Sequence, residues 1–414
     1  MKNMSARPGP TVFQVITLCI ALALSAHAQQ APNAITSQND TNQQLLERIT
    51  QLESKLNQLE QKQATTASVP APETAPAVET PPAHVVADRL RFNVFGDVGY
   101  RATDRKGNTN TFEIGSLDLF MSSRLSEKVS VLGEILFISG RDNSITPDVE
   151  RLLLQYHHND YFNFAIGRYH TAIGYYNTTF HQGAWFETAI GRPFMYEFDD
   201  KGGFLPLQEV GITVSGRIPS GKLGLEYVAE VGNGRSHSSI ESAQNQQDQN
   251  NGKSFNLALV AHPNWIPGLQ TGFSFYHDRL TFTDGINHGE TITTAHVVYL
   301  NSRYEFLNEG MLVRHTDLTG IGRVFYTPGF YTQVSRRFSG YRPYIRYSYV
   351  NPPANDPIFS DPADTTQVTR QNGLSAGVRY DFTEHTAAKL QYDRLGIRNE
   401  KSSNRLATQF AFTF

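Results

Sequence analysis

The chain has 414 residues, 39% hydrophobic and 18% charged, with a formal net charge of −3. A soluble domain usually holds about 45–50% apolar and about 25% charged residues; this chain is short of both and rich instead in Phe (26), Tyr (19) and Gly (32). The charge argues against a nucleic-acid binder, the single cysteine excludes an intrachain disulfide framework, and no apolar run outside the first 28 residues reaches the about 18 needed for a membrane helix.

Lys2 and Arg7 precede the apolar stretch Val12–Leu24, and Ala26-His27-Ala28 puts small residues at the −3 and −1 positions of a cleavage site. Residues 1–28 therefore read as a secretory signal peptide, whose removal takes Cys19 with it. Within residues 29–68, Leu45, Ile49, Leu52, Leu56 and Leu59 are spaced 4, 3, 4, 3, which is a heptad seam. A helix of about 20 residues is marginal alone in water, so the seam predicts self-association as a coiled coil. Residues 69–83 carry five prolines within 69–82 and read as an extended linker.

From residue 84 onward the period is two. In the last strand Leu406, Thr408, Phe410, Phe412 and Phe414 share one face, and Arg405, Ala407, Gln409, Ala411 and Thr413 the other. Leu374, Ala376, Val378 and Tyr380 alternate likewise with Ser375, Gly377, Arg379 and Asp381. Such alternation predicts half-buried strands. Sixteen segments show it, near 90–100, 112–124, 128–138, 148–157, 161–169, 207–218, 222–232, 253–262, 269–279, 291–306, 310–317, 323–338, 341–350, 371–382, 385–395 and 404–414. Short and long connections alternate, with 318–322 short where a long loop is due. Ten-residue strands, an even strand count and this rhythm predict an all-β fold, a transmembrane antiparallel β-barrel over residues 84–414. In lipid the apolar face needs only acyl chains, closure leaves no edge, and the inner face is expected to be polar and wet. Tyr100, Tyr156, Tyr161, Phe162, Tyr349, Phe382 and Tyr392, near segment ends, suit interfacial girdles.

The signal peptide, the sixteen-strand pattern and the terminal Phe414 on an aromatic-alternating strand together resemble a bacterial outer-membrane porin. The stretch Ile166-Gly167-Arg168-Tyr169-His170-Thr171-Ala172-Ile173-Gly174-Tyr175-Tyr176 resembles the exit of the fifth strand in channels of the phosphate-selective porin type. The resemblance implies a Gram-negative outer-membrane location, a homotrimer to which the coiled coil contributes, and recognition of Phe414 by the barrel-assembly machinery. It does not extend to an arginine ladder, since residues 84–414 hold 31 basic and 33 acidic residues.

The 37 residues 170–206 form the longest connection, and a loop this long is usually functional or disordered. Its aromatics, among them Tyr175, Tyr176, Phe180, Trp185, Phe186 and Tyr196, set it apart from disordered loops. In sixteen-strand porins the loop at this place folds into the lumen, and an aromatic loop needs somewhere to bury. Its candidate constriction residues are Arg168, His170, Glu187, Arg192, Glu197, Asp199, Asp200 and Lys201. On the wall, alternation turns Arg342, Arg346, Arg379, Lys389 and Arg405 inward, and Arg124 and Arg151 with Asp118 and Glu134 on early strands. Facing charges of opposite sign select permeating solutes by charge and dipole. The acidic patch Glu197/Asp199/Asp200 is expected to face Arg342, Arg346 and Arg379.

These features predict a passive diffusion channel with no cofactor, no metal and no catalytic set; HExxH, GxSxG and P-loop patterns do not occur. Two other readings compete: an anchor tethering the barrel to peptidoglycan through the coiled coil, and a barrel lipid hydrolase.

Overall fold

The computed structural model describes residues 90–140, 144–180, 183–197, 205–235, 248, 250–281, 287–320, 322–359 and 368–414. The signal peptide, the coiled-coil seam and the linker lie outside the described residues, as do Asp199, Asp200 and Lys201.

Among the described residues there are sixteen strands: β1 (Leu90–Thr103), β2 (Thr111–Arg124), β3 (Val129–Ser139), β4 (Ile145–Asn159), β5 (Phe162–His170), β6 (Gln208–Ile218), β7 (Leu225–Gly232), β8 (Ser254–Ala261), β9 (Leu269–Thr281), β10 (Asn287–Leu300), β11 (Tyr304–Asp317), β12 (Val324–Arg336), β13 (Tyr341–Val350), β14 (Gln371–Asp381), β15 (Thr386–Ile397) and β16 (Ser403–Thr413). Each pairs antiparallel with its sequence neighbours, and β1 pairs with β16 from Phe95↔Thr413 to Thr103↔Arg405, closing the barrel. Closure leaves no free strand edge, as a sheet in hydrocarbon requires.

Local chemistry makes the short turns at one end. The Asn159 carboxamide oxygen accepts the Tyr161 and Phe162 N–H groups at 2.9 Å each. Asn301 does the same for Arg303 and Tyr304 at 2.8 and 2.7 Å. Ser126 accepts the Val129 N–H at 3.1 Å. Such side chains replace a backbone turn bond and pin the strand register. Ser339, at φ 55, supplies the left-handed residue of the two-residue β12–β13 turn region.

Burial in this barrel runs opposite to that of a soluble protein. On β15 the polar Lys389, Gln391 and Asp393 point inward and are buried, while Leu390 and Tyr392 are exposed. Leu152, Leu154 and Ile166 are likewise exposed on the outside. Left in water each would forgo about 1.5–3 kcal/mol of burial; acyl chains supply it without a partner domain. Rings crowd the outer surface near the turns: Tyr341 meets Tyr380 in a tilted pair at 4.5 Å, and Phe382 meets Tyr380 edge-on at 4.8 Å. At the other end Tyr100 meets Phe112 at 4.8 Å.

One expectation needs correction. The inner face is not wet throughout. Ile173, Tyr175, Tyr176, Met195 and Tyr196 pack with inward Tyr276, Leu280, Ile292, Met311, Val313 and Tyr331, and with Ile358 and Phe359 after β13, in one apolar cluster. Alternation identifies an inward face but not whether a loop later covers it. The inward residues of β1–β4 are more open, with Phe95, Asp97, Phe120 and Arg151 only half-buried.

Candidate functional site: segment 171–197 and the inner wall

Segment 171–197 is held by carboxylates on one side and by cations on the other. Glu230 on β7 accepts the Ala172 N–H at 3.0 Å. Glu309 on β11 accepts the Tyr175 and Tyr176 N–H groups at 2.6 and 2.9 Å, the Tyr196 hydroxyl at 2.8 Å and the Tyr331 hydroxyl at 2.7 Å. Gly174, at φ +75, makes the bend that brings these N–H groups round; a Cβ there would sit 2.5 Å from the Glu309 carboxylate. The bend leads into one helical turn, α1 (Tyr176–Thr179). Glu305, also on β11, accepts the Thr188 hydroxyl at 2.9 Å and faces Arg342 at 3.5 Å.

The basic wall of β13–β15 meets the backbone of the segment as well as acids of the wall. Arg346 donates to the Gly191 and Ile190 carbonyls at 2.7 and 3.2 Å. Arg379 donates to the Trp185 and Glu187 carbonyls, lies over the Trp185 ring at 4.9 Å and pairs with Asp381 at 2.7 Å. Lys389 donates to the Ala184 carbonyl at 2.5 Å. Gln391 completes the set, accepting the Ile190 N–H at 2.8 Å and donating to the Ile190 carbonyl at 3.0 Å. Register explains the grouping, because Arg342↔Arg379 and Arg379↔Lys389 stand opposite one another on adjacent strands.

Inside the segment, the Tyr176 hydroxyl bonds to the Glu187 carboxylate. Arg192 donates to the Tyr196 carbonyl at 3.1 Å and lies over the Tyr176 ring at 6.0 Å. Tyr176 stacks on Tyr196 at 5.2 Å. Burial, then the nearby Glu187, pushes the Tyr176 hydroxyl well above its ordinary value; burial and Glu309 do the same to Tyr196.

The remaining expected site residues fall elsewhere. Arg168 is within β5 and joins the wall, bonded to Gln208 at 2.5 Å and 3.7 Å from Asp148. His170 ends β5, 3.9 Å from Glu134. Arg151 bonds to Glu134 and lies over the Phe120 ring at 5.4 Å. Arg124 ends β2, exposed beside the Ser126 turn, and does not join the group. Glu197 is half-buried. Arg346 and Arg379 bond to carbonyls within 185–191; of the acids expected opposite them, Asp199 and Asp200 lie outside the described residues. The carboxylates that hold the segment, Glu230, Glu305 and Glu309, were not among the expected residues. Each is one polar residue on a polar strand face, and its partners lie 58, 117 and 134 residues away.

Below the segment, towards the short turns, a cavity of about 640 Å³ is lined by Ala172, Gly174, His157, Glu226, His262 and His296, among others. Among the described residues no cluster of three or more His, Cys, Asp or Glu is arranged to hold a metal ion.

No family model matches the chain, and no curated protein matches it. Solved structures do. An anion-selective porin from Comamonas acidovorans superposes with a TM-score of 0.55 at 12% identity, over 78% of this chain and 100% of that one. OmpF of Salmonella typhi, solved with daunomycin, gives 0.55 at 11% over 78% and 97%. The outer-membrane channel DcaP of Acinetobacter baumannii gives 0.55 at 10% over 78% and 97%. At these identities the likeness is one of fold: the chain shares the closed antiparallel barrel of outer-membrane porins.

Proposed function

We propose that the chain is an outer-membrane porin of a Gram-negative-type bacterium. It forms a water-filled channel for passive diffusion of small hydrophilic solutes or ions. The observation that carries this reading is the inverted burial of a closed barrel, with buried Lys389, Gln391 and Asp393 inside and exposed Leu390 and Tyr392 outside. A barrel of this kind is stable in lipid and exposes too much apolar surface for water.

In this reading residues 170–206 fold into the lumen and set its width, with Arg342, Arg346, Arg379 and Lys389 as the basic side of the constriction. Support comes from the hydrogen bonds between inward side chains of β7, β11 and β13–β15 and the backbone of 172–191. The signal peptide directs export, the barrel-assembly machinery reads Phe414, and the mature protein is a homotrimer. Purified protein in planar bilayers should give stepwise, ohmic single-channel currents in KCl. A protein that inserts, as judged by heat-modifiable gel migration, and carries no current would defeat the proposal.

A further inference from the structure

The rings of segment 171–197 divide into two sets. Tyr175, Tyr176, Phe180 and Tyr196 are buried in the apolar cluster. Phe186 is not: it is 48% exposed, and its ring touches inward Phe95 of β1 at 4.9 Å. Phe120 of β2 is the next inward ring, since Asn93 stands opposite Phe120 and Phe95 opposite Asp118. That diagonal spacing lets ring-sized groups share one contact surface. A phenyl ring facing the polar interior of a barrel gains nothing from water, so a patch of three marks a contact surface. The face of one ring already takes a cation, because the Arg151 guanidinium lies over Phe120 at 5.4 Å.

Carboxyl groups are numerous around these rings. The inward face of β1–β4 carries Asp97, Asp118, Glu134, Asp148 and Glu150. Arg151 answers Glu134, Arg168 stands 3.7 Å from Asp148, and Arg101 pairs with Glu113 at 3.1 Å. Asp97 receives only neutral donors among its hydrogen bonds, from Ser116 and Gln409. Of the cations of β13–β15, Arg346, Arg379 and Lys389 bond to carbonyls of the segment, and Lys389 is also near enough to Asp97 to attract it.

We infer that Phe95, Phe120 and Phe186, beside Asp97, form a contact site for small solutes that join an aromatic ring to a positive charge. Such a solute meets ring faces, which attract both another ring and a cation, and the acid Asp97, which attracts its charge. The inference rests on the channel reading and gives it a solute class.

The test is block of KCl current through the wild-type channel by benzylamine, cyclohexylmethylamine and benzoate. Benzylamine should block at the lowest concentration. Phe186→Ala and Phe120→Leu, each checked for heat-modifiable folding, should weaken its block about two- to fivefold and remove its advantage over cyclohexylmethylamine. Equal block by cyclohexylmethylamine overturns the ring requirement, and equal or stronger block by benzoate overturns the charge requirement. Unchanged block in both variants overturns the site. A channel that conducts KCl but is blocked by none of the three overturns this inference alone; absence of KCl current overturns the channel reading with it.

Discussion

Glu309 accepts two N–H groups and two tyrosine hydroxyls, and no solvent replaces it, because it is 3% exposed. Glu309→Ala leaves four donors in an apolar cluster, each costing about 1–3 kcal/mol if it stays buried and unpaired. The segment gives way before the barrel does, because the sixteen strand pairings do not pass through Glu309. The expected result is a folded, heat-modifiable protein whose single-channel currents are larger or noisier than wild type. Quiet currents of wild-type size would show that the segment is held by other means. The basic wall gives a second expectation at this scale. Arg346→Ala and Arg379→Ala each remove a positive charge and two carbonyl contacts. Reversal potentials in a KCl gradient should move towards cation preference in both; unchanged potentials would mean that the wall does not face the permeation path. These cations were legible in the sequence because strict alternation turns Arg342, Arg346 and Arg379 to one side. Their partners were not legible. Backbone carbonyls, such as those that Arg346 and Arg379 meet, leave no mark in a sequence.

Segment 171–197 shows how far an element can be read from its residues. Its length and its aromatics call for burial, and Ile173, Tyr175, Tyr176, Met195 and Tyr196 are buried. What the pattern left out is that part of the inner wall had prepared an apolar seat. Ile292, Met311 and Val313 look like an ordinary hydrophobic share of a polar face until Tyr176 and Tyr196 lie on them. The residues after β13 escape the pattern for the same reason. Asp356 accepts from buried His315 at 2.8 Å and from the Ile358 N–H at 3.0 Å, which seats Ile358 and Phe359 in the same cluster. No periodicity announces a single aspartate that turns a loop inward. Replacing 176–196 by a short Gly-Ser link should raise single-channel conductance severalfold, since the passage widens where the segment crosses. Unchanged conductance would place the narrowest point elsewhere.

At the scale of the molecule the strands were the legible part. The sixteen segments read from alternation answer to the sixteen strands, but one break is misplaced: the gap read between 291–306 and 310–317 lies within β11, the β10–β11 turn falls at 301–303, and the short connection read at 318–322 runs 318–323. The signal is strong because one face must suit acyl chains and the other must not, along about ten residues at a time. Bulges were not visible: the register shifts between Gly96 and Val98 and between Glu134 and Ile135 each place one extra residue on one strand of the pair, which sharpens the local twist. For assembly, cross-linking in mild detergent should yield trimers, and deleting residues 29–83 should weaken but not abolish them if the barrel wall also contributes. Only monomer in the full-length protein would count against the trimer. The central claim is a water-filled passage lined by the inward alternation, and adjacent residues on β16 test it. Thr408 points outward, whereas half-buried Gln409 points inward and donates to Asp97 at 2.9 Å. The chain's one native cysteine is Cys19, within the expected signal peptide, so single cysteines can be placed cleanly. A charged, water-soluble thiol reagent should lower the single-channel current of Gln409→Cys in steps and leave Thr408→Cys unchanged. An equal response at both positions, or a response at Thr408→Cys alone, would contradict the account.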